Sequence, residues 1–524
     1  MSVFIGGFIL RSSMVHAVVI DGNSLTLDSV SRVARDFESV VFPREARERV
    51  VHSRGIVSRA LEKNEVVYGV TTGFGKLSDI RIPHEQIEQL QINLLRSHAC
   101  GVGELLEEAE VRAALLLRAN TLAKGFSGVR PQVIDTLVEM LNRGVHPVVP
   151  SRGSVGASGD LAPAAHMALV LAGEGEAIFR GERLAGAVAM RKAGIPLLKL
   201  GAKEGLSLLN GTQFMAAVGG LALDRALSLV ESADVIGALT LEVLLGTPAA
   251  SDPRIHAVRP HPGQRHTATN IRRLLQSSAI VESHKDCGQL QDAYSLRCMP
   301  QVHGAIRDAL THIVSVLQIE VNSATDNPLV FPGDETILSG GNFHGAPVAY
   351  ALDYAAIAVS DLANISERRL ERLVNPDLSG LPAFLIQNAG LSSGYMMLQV
   401  MAASLVSENK ILSHPASVDS IPTSANKEDH VSMGMAAALK FRSIVNNAEI
   451  VLASEMLAAC QAMEFRKPLK PGAGTGHAYA LVRRLIPLLE QDREVSPDVQ
   501  TVVRLIREKH FARLVTEAGE QEGA

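Results

Sequence analysis

Aromatic residues are scarce in this chain. Phenylalanine, tyrosine and tryptophan make up 4% of the 524 residues, and tryptophan is absent. Sandwich and barrel strands are rich in aromatic and β-branched side chains, whereas alanine and leucine favour helices. Alanine and leucine abound here, so the composition favours a mainly α fold over a β-sandwich.

Cysteine is also rare. The four cysteines, Cys100, Cys287, Cys298 and Cys460, are scattered and are never paired at the spacing of a metal or redox motif. His284 lies three residues before Cys287, but no second pair of ligands accompanies them, so we predict no metal site. Scattered thiols are typical of a reduced compartment, and we expect a cytoplasmic protein.

An excess of basic residues is missing as well. Lysine and arginine number 50 against 55 aspartates and glutamates, which gives a net charge of −5. A nucleic-acid-binding protein usually carries a basic stripe or patch. The charge balance therefore argues against nucleic acid as the main partner.

Long apolar runs without charges are absent too. The most apolar stretch, from Gln213 to Leu245, carries Asp224, Arg225, Glu231 and Glu242. Charges at the centre of a membrane span are costly, so we interpret such stretches as buried helices and predict no membrane partner. The apolar segment Val3–Leu10 is too short to cross a bilayer. We interpret residues 1–13 as an extension or a start-site artefact.

Apolar residues recur at helical spacing along most of the chain. Pro131 opens one predicted helix and Gly144 closes it, in keeping with the positional preferences of these residues. Longer predicted helices cover Gln213–Leu245, Gln301–Asn322, Pro347–Leu373, Gly394–Leu412 and His430–Phe465.

Several of these helices exceed 20 residues and would each reach about 30 Å at the usual rise per residue. Long helices with short connections predict a central up-down bundle. We divide the chain into the extension 1–13, a mixed N-terminal part over 14–209 that carries a Gly/Ser-rich loop, and a bundle with a C-terminal helical part over 210–524.

The Gly/Ser-rich loop is "SVGASGDLAP", residues 154–163. It matches neither of the glycine spacings that cradle phosphates, and it departs from the G-x-S-x-G nucleophile elbow. A plain interpretation is a loop whose Asp160 or Ser158 caps a following helix over Leu161–Leu171. The remaining interpretation is chemical, because Ala157-Ser158-Gly159 can react with itself.

In that reaction the Gly159 amide nitrogen attacks the Ala157 carbonyl carbon and closes a five-membered ring. Glycine suits the third position because its nitrogen is unhindered and its backbone is unrestricted. Ser158 can then lose its hydroxyl as water and leave an exocyclic methylene. The product is an electrophile made from backbone alone.

Seven segments in order resemble one known family, the aromatic amino acid lyases. The resemblance runs from about Ile20 to Ala518. The segments are "YGVTTGFG" (68–75), "GSVGASGDLAPAAH" (153–166), "KEGLSLLNGTQ" (203–213), "QDAYSLRC" (291–298), "NSATDNPLVF" (322–331), "SGGNFHG" (339–345) and "ENKILSHPASVDSIPTSANKEDHVSMG" (408–434).

The resemblance implies a 4-methylideneimidazol-5-one (MIO) group formed autocatalytically from Ala157-Ser158-Gly159, with no metal and no nucleotide. Ala157 and Gly159 would be cross-linked in a 5-imidazolinone, and Ser158 would become 2,3-didehydroalanine. It also implies a homotetramer whose active sites draw on more than one chain. The apolar circumferences of 213–245 and 430–465 agree with burial between copies.

Three features resemble the histidine-specific branch of the family: Ser97-His98, the acid Glu428, and the style of residues 291–298 and 414–426. That branch eliminates ammonia from L-histidine to give trans-urocanate, the first step of histidine degradation. The implied roles are Tyr294 as base, Tyr68 close to the MIO, Arg297 on the substrate carboxylate, Asn210 and Gln291 as hydrogen-bonding residues, Phe343 as a pocket wall, and His98 and Glu428 on the imidazole.

The chain departs from the family pattern at Lys427, a cation directly beside Glu428. Two alternative functions remain open. An aminomutase would use the same group and return ammonia to the β-carbon. A helical scaffold without activity would have no reason to keep Tyr68, Tyr294 and Arg297 together with Ala-Ser-Gly.

Overall fold

The structure is a computed structural model that describes residues 17–286, 288 and 290–520, with side chains up to residue 515. The predicted extension, residues 1–13, lies outside the described residues. Backbone contacts group the chain into two units. Unit 1 contains the described residues up to Ser154, then Ser158–Ala217 and Val321–Phe343; unit 2 contains Val155–Ala157, Val218–Glu320 and the described residues from His344 onward. The division at residue 209 stays a prediction.

Unit 1 holds the strands, all of them short. The strands are β1 Val18–Val19, β2 Val40–Val41, β3 Val102–Leu105, β4 Val145–Pro147, β5 Pro150–Arg152, β6 Glu176–Phe179, β7 Glu182–Ala185, β8 Leu329–Phe331 and β9 Thr336–Leu338. They form a parallel pair β1–β2 with Val18 opposite Val40, and antiparallel sheets β3–β5, β4–β6–β7 and β8–β9.

Unit 1 also contains eight α-helices: α1 Leu27–Arg35, α2 Arg44–Glu62, α3 Ile87–His98, α4 Glu108–Ala123, α5 Pro131–Arg143, α6 Leu161–Leu171, α7 Gly186–Lys192 and α8 Glu204–Leu209. Helices α1, α2 and α5 pack against α4. The residues of α4 from Glu110 to Ala123 are all buried.

The described residues of unit 2 form helices joined by turns and loops. The helices are α9 Gln213–Val243, α10 Pro253–Ala257, α11 Pro262–Leu274, α12 Ala279–Ser283, α13 Tyr294–Arg297, α14 Met299–Glu320, α15 Ala346–Val374, α16 Pro376–Ser379, α17 Met396–Leu412, α18 Gly434–Glu464, α19 Ala473–Arg483, α20 Ser496–Arg507 and α21 His510–Glu520. Helix α18 lies at the centre and packs along α15, α17 and α20. Helix α9 begins in unit 1 and continues into unit 2.

The mainly α fold with long helices is confirmed, and the differences at helix ends have local causes. Helix α5 ends at Gly144 in the left-handed conformation, as the sequence predicts. Helix α18 begins four residues later than predicted, because Met433 at its N-cap has a positive φ of 56° that a helix interior does not allow. Helix α9 ends at Val243, ahead of Leu245, whose φ is also positive.

One helix, α15, is long and apolar enough to cross a membrane by length and composition. Most of its apolar window, 67%, is buried inside the protein. It also carries the buried charged residues Asp353, Glu367 and Arg369. A core helix has these properties, as the sequence analysis expected of such stretches.

Candidate active site

The Ala157-Ser158-Gly159 loop lies between β5 and α6 and bends through two left-handed residues. Ser158 has φ 53° and Gly159 has φ 83°. A Cβ atom added at Gly159 would lie 2.1 Å from the Gly211 carbonyl oxygen, so only glycine fits there. The left-handed serine is uncommon among non-glycine residues and marks a loop held by its surroundings.

Two donors converge on the carbonyl oxygen of Ser158. The Asn210 side-chain Nδ2 and the Gly211 backbone nitrogen each donate to it at 3.1 Å. Asn210 is buried, and its Oδ1 is a buried acceptor without a hydrogen-bond partner among the described residues. Paired donors of this kind stabilise negative charge that develops on the oxygen they face.

Asp160 fastens the loop to the start of α9. Its carboxylate accepts hydrogen bonds from the Met215 backbone nitrogen at 2.7 Å and from Ser154 Oγ at 3.0 Å. Asp160 is the N-cap residue of α6, one of the two residues predicted for that place, but its side chain makes no capping hydrogen bond there, and its carboxylate binds the start of α9 instead. Burial raises its pKa to about 6, against the opposing hydrogen bonds.

The first residues of the loop belong to unit 2, where they pack at the start of α18. The Val155 carbonyl accepts a hydrogen bond from the Met433 nitrogen at 2.9 Å, and Ala157 packs with Val431 and Met433. At Gly156 an added Cβ would lie 2.1 Å from Ser432 Oγ. These contacts explain why small residues flank Ser158.

Tyr68, predicted to lie near the MIO, is half-buried in unit 1. Its hydroxyl accepts a hydrogen bond from the Gly75 nitrogen at 3.3 Å, and its ring meets Phe74 edge to face at 6.5 Å. Both contacts lie within the "YGVTTGFG" segment. The segment thus folds on itself and fixes the tyrosine ring.

His98 is the last residue of α3 and is half-buried, as is Phe343. The His98 Nδ1 lies 2.9 Å from the Leu94 carbonyl oxygen and 3.0 Å from Ser97 Oγ. A carbonyl only accepts, so this contact places a proton on Nδ1.

Tyr294 and Arg297 share the short helix α13 of unit 2. The tyrosine side chain is exposed, with 71% of its surface accessible, and the Arg297 guanidinium lies 4.6 Å from the ring centroid. Arg297 Nε is buried without a hydrogen-bond partner among the described residues, which leaves a donor for an acceptor such as a carboxylate. Gln291, just before this helix, is exposed.

Glu428 is held in a tight backbone bridge with Thr423. The two residues exchange backbone hydrogen bonds at 2.9 and 3.3 Å, and Glu428 Oε2 accepts from Thr423 Oγ1 at 2.7 Å. Lys427 is exposed. The carboxylate is thus oriented by a hydroxyl from its own loop.

Some of the predicted site residues contact one another directly, and others contact residues of their own segments. Ser158 is bonded to Asn210 in unit 1, and Tyr294 stacks with Arg297 in unit 2. Three features were not predicted from the sequence: Asp160's bond to α9, the buried Lys203–Asp326 ion pair at 2.7 Å, and the buried Arg118. Their signal in the sequence is a charge inside an otherwise apolar motif.

Metal-ligating side chains do not cluster in the part of the chain that the structure describes: no group of three or more histidine, cysteine, aspartate and glutamate residues could hold an ion. Cys287 lies outside the described residues.

Residues 25–484 match the model of the aromatic amino acid lyase family.

Among curated relatives, the histidine ammonia-lyase of Koribacter versatilis is 58% identical over 511 residues, covering 95% of this chain and 99% of the relative. That of Caldanaerobacter subterraneus subsp. tengcongensis is 55% identical over 502 residues, covering 96% and 99%. The chain therefore belongs to the aromatic amino acid lyase family.

Solved structures agree. The crystal structure of histidine ammonia-lyase from Trypanosoma cruzi matches with a TM-score of 0.89 and 42% identity, covering 96% of this chain and 95% of that one. Tyrosine aminomutase from Streptomyces globisporus matches with a TM-score of 0.91 and 39% identity, covering 96% and 98%. The backbone alone thus does not distinguish a lyase from an aminomutase.

Proposed function

We propose that this protein eliminates ammonia from L-histidine to give trans-urocanate. The observation that carries the proposal is the pair of donors on the Ser158 carbonyl oxygen, beside an Ala-Ser-Gly loop held in a left-handed turn. The histidine ammonia-lyases at 55% and 58% identity support histidine as the substrate.

We propose that the loop residues form MIO, and their surroundings fit that group. Ring closure joins the Gly159 nitrogen to the Ala157 carbonyl carbon, whose oxygen leaves as one water. Ser158 loses its hydroxyl and its α-hydrogen as a second water, and its carbonyl oxygen stays where Asn210 and Gly211 donate. Once formed, the group supplies an electrophilic methylene that takes up the substrate amine and makes it a better leaving group.

The other residues would bind the substrate and move its proton. Tyr294 is the base that takes the β-proton, a step in which positioned general catalysis contributes roughly 10²–10⁴-fold. Arg297 binds the carboxylate through its planar guanidinium fork. Gln291 and Asn210 orient the carboxylate or the MIO by hydrogen bonds.

The imidazole end is assigned to His98 and Glu428, with Phe343 as a wall and Tyr68 near the reacting atoms. An imidazole has one donor and one acceptor nitrogen when neutral. The Glu428 carboxylate, oriented by Thr423, can accept the ring N–H. A phenylalanine substrate has no hydrogen-bond donor at this end of the ring, and a tyrosine substrate has only its phenol hydroxyl.

We also propose a homotetramer. From the sequence we predicted that the apolar helices α9 and α18 meet other copies, but both are buried within the chain. Exposed apolar residues on α15 and α17 are candidates for such contacts, since exposed apolar surfaces mark association sites. These residues are Tyr350, Tyr354, Ile357, Met397, Val400 and Ile411.

A cytoplasmic location agrees with the cysteines, since Cys100, Cys298 and Cys460 are all free thiols.

The function is tested by incubating the protein with L-histidine, L-tyrosine and L-phenylalanine while following the absorbance of the conjugated product. We expect trans-urocanate from histidine and little product from the others. Equal turnover of tyrosine would contradict the substrate, and a β-amino acid product would assign an aminomutase.

A further inference from the structure

Behind Asn210 lies an arginine with no role in the proposed chemistry. Arg118 is on α4, and 1% of its surface is exposed. Its Nη1 donates to the Asn210 carbonyl oxygen at 2.6 Å and to the Ser207 carbonyl oxygen at 3.0 Å. The guanidinium thus closes the C-terminal end of α8, where Asn210 begins the turn back to the Ser158 loop.

The hydrogen bond to the Asn210 carbonyl oxygen also affects the next residue, Gly211. The Asn210 carbonyl and the Gly211 N–H belong to the same peptide group, and that N–H donates to the Ser158 oxygen at 3.1 Å. A donor on the carbonyl of an amide polarises the amide and makes its N–H a stronger donor. A chain of two hydrogen bonds therefore connects a buried cation to the Ser158 carbonyl.

Arg118 is poorly placed for stability alone. Its Nε is buried and has no hydrogen-bond partner among the described residues. The carboxylates of Asp160 and Asp326 lie near enough to favour its charge, yet the hydrogen bonds of Nη1 go to the backbone carbonyls of Ser207 and Asn210. Burial lowers its pKa to about 10, so the group remains a cation at neutral pH. A buried donor left unused calls for a reason beyond packing.

We propose that Arg118 is a positioning residue for the Ser158 carbonyl: it holds and polarises the Asn210–Gly211 peptide, which stabilises negative charge developing on the Ser158 oxygen. The inference rests on the proposed function, because this charge develops only if Ser158 becomes part of the electrophile. When a nucleophile adds to the methylene, the electron pair of the alkene moves towards that oxygen.

The same helix provides a matched control. Arg112 also has 1% of its surface exposed, and burial lowers its pKa to about 10 as well. It donates to the carbonyl oxygens of Val33 at 2.8 and 3.1 Å and of Leu141 at 3.1 Å. None of these bonds involves residues 154–160 or 207–211, so its loss disturbs the fold but not the loop.

The experiment compares Arg118→Lys and Arg118→Met with Arg112→Lys and Arg112→Met. Circular dichroism and oligomer size report folding. Intact-mass spectrometry reports the two-water deficit of ring formation, and the second-order rate of inactivation by cyanide reports the electrophile without any substrate. Loss of a charge-assisted hydrogen bond predicts cyanide addition about tenfold slower in Arg118→Lys, with a larger loss in Arg118→Met.

Folded Arg118 variants that react slowly with cyanide, or that retain the two waters, support the proposal if the Arg112 variants match the wild type. Wild-type rates in the Arg118 variants overturn it, and so do equal losses in both series. Arg118 variants that do not fold assign the residue to the fold alone and also overturn it. A wild-type chain without the mass deficit is a separate result, which contradicts the proposed function and takes this inference with it.

Discussion

The loop that carries Ser158 and the short helix that carries Tyr294 differ in how far one chain completes them. Around Ser158, Asp160 is fully buried and Asn210 retains 3% of its exposure, and each is bonded to backbone of the same unit. Around Tyr294, the tyrosine is 71% exposed and the nearby Leu290 is 98% exposed.

This difference separates two tasks. An electrophile that forms from the backbone needs rigid surroundings, because the chain must hold the reacting groups in position before any substrate binds. Binding and deprotonating a substrate needs a closed pocket only during turnover. An open tyrosine in a single chain agrees with a site that a second copy completes.

The largest effect is expected for Ser158→Ala. The described bonds of Ser158 use only its carbonyl oxygen, so the variant should fold normally and yet lack the hydroxyl that must leave. We expect activity at background level and no two-water deficit. Ser154→Ala, which removes a hydroxyl from the same loop, should keep the deficit. Normal activity in Ser158→Ala would contradict the proposed group.

A second test asks whether the open helix is completed by another copy. Tyr294→Phe should lose about 10²–10⁴-fold in turnover because it lacks the base. Co-expression of Tyr294→Phe with Ser158→Ala should restore about a quarter of wild-type activity, the share of sites that combine an intact loop with an intact tyrosine. Ser158→Ala mixed with Gly159→Ala, which spoils the same loop, should restore none. No recovery in the first mixture would place both residues in one chain.

Substrate choice should respond more weakly. Glu428→Gln removes the charge that accepts the imidazole N–H, so histidine turnover should fall about tenfold to a hundredfold, in line with a charge-assisted hydrogen bond. The side-chain oxygen of a glutamine can still accept the hydrogen bond from Thr423 Oγ1, so folding should be little affected. The control is Lys427→Gln, which removes the neighbouring exposed cation and should change turnover little. Steady-state kinetics on histidine decide between them.

The last effect is on stability rather than on activity and concerns Asp160. Burial raises its pKa to about 6 from 3.8, so the fold favours the protonated acid. Its contribution is full below pH 3.8 and is lost as the pH rises through about 6, a change of roughly 3 kcal/mol. Asp160→Asn cannot ionise.

Thermal unfolding between pH 4 and pH 7 tests this sign. The stability of the wild type relative to Asp160→Asn should decline as the pH rises across that range. A constant difference would show that the carboxyl does not titrate there.

The sequence predicted the helices better than the contacts that aim the loop. Pro131 and Gly144 delimit α5 by local preference, and the structure agrees. The start of α18 was misplaced because Met433 adopts its left-handed backbone beside Val155, a contact between distant segments. No local pattern contains that information.

The candidate site shows the same division. Ala-Ser-Gly is visible as chemistry in the sequence, because the ring needs those side chains in that order. Arg118 is not visible, because its partner Asn210 is 92 residues away and a lone arginine in a helix is normally a surface residue. Burial and long-range pairing supply what periodicity does not.

The central claim is that Ala157, Ser158 and Gly159 react with one another in the active enzyme. Tandem mass spectrometry of the peptide containing these residues, taken from protein that turns over L-histidine, tests it most directly. We predict a peptide lighter than its sequence by two waters, with both losses located between Ala157 and Gly159. A peptide of full encoded mass from equally active protein would contradict the account.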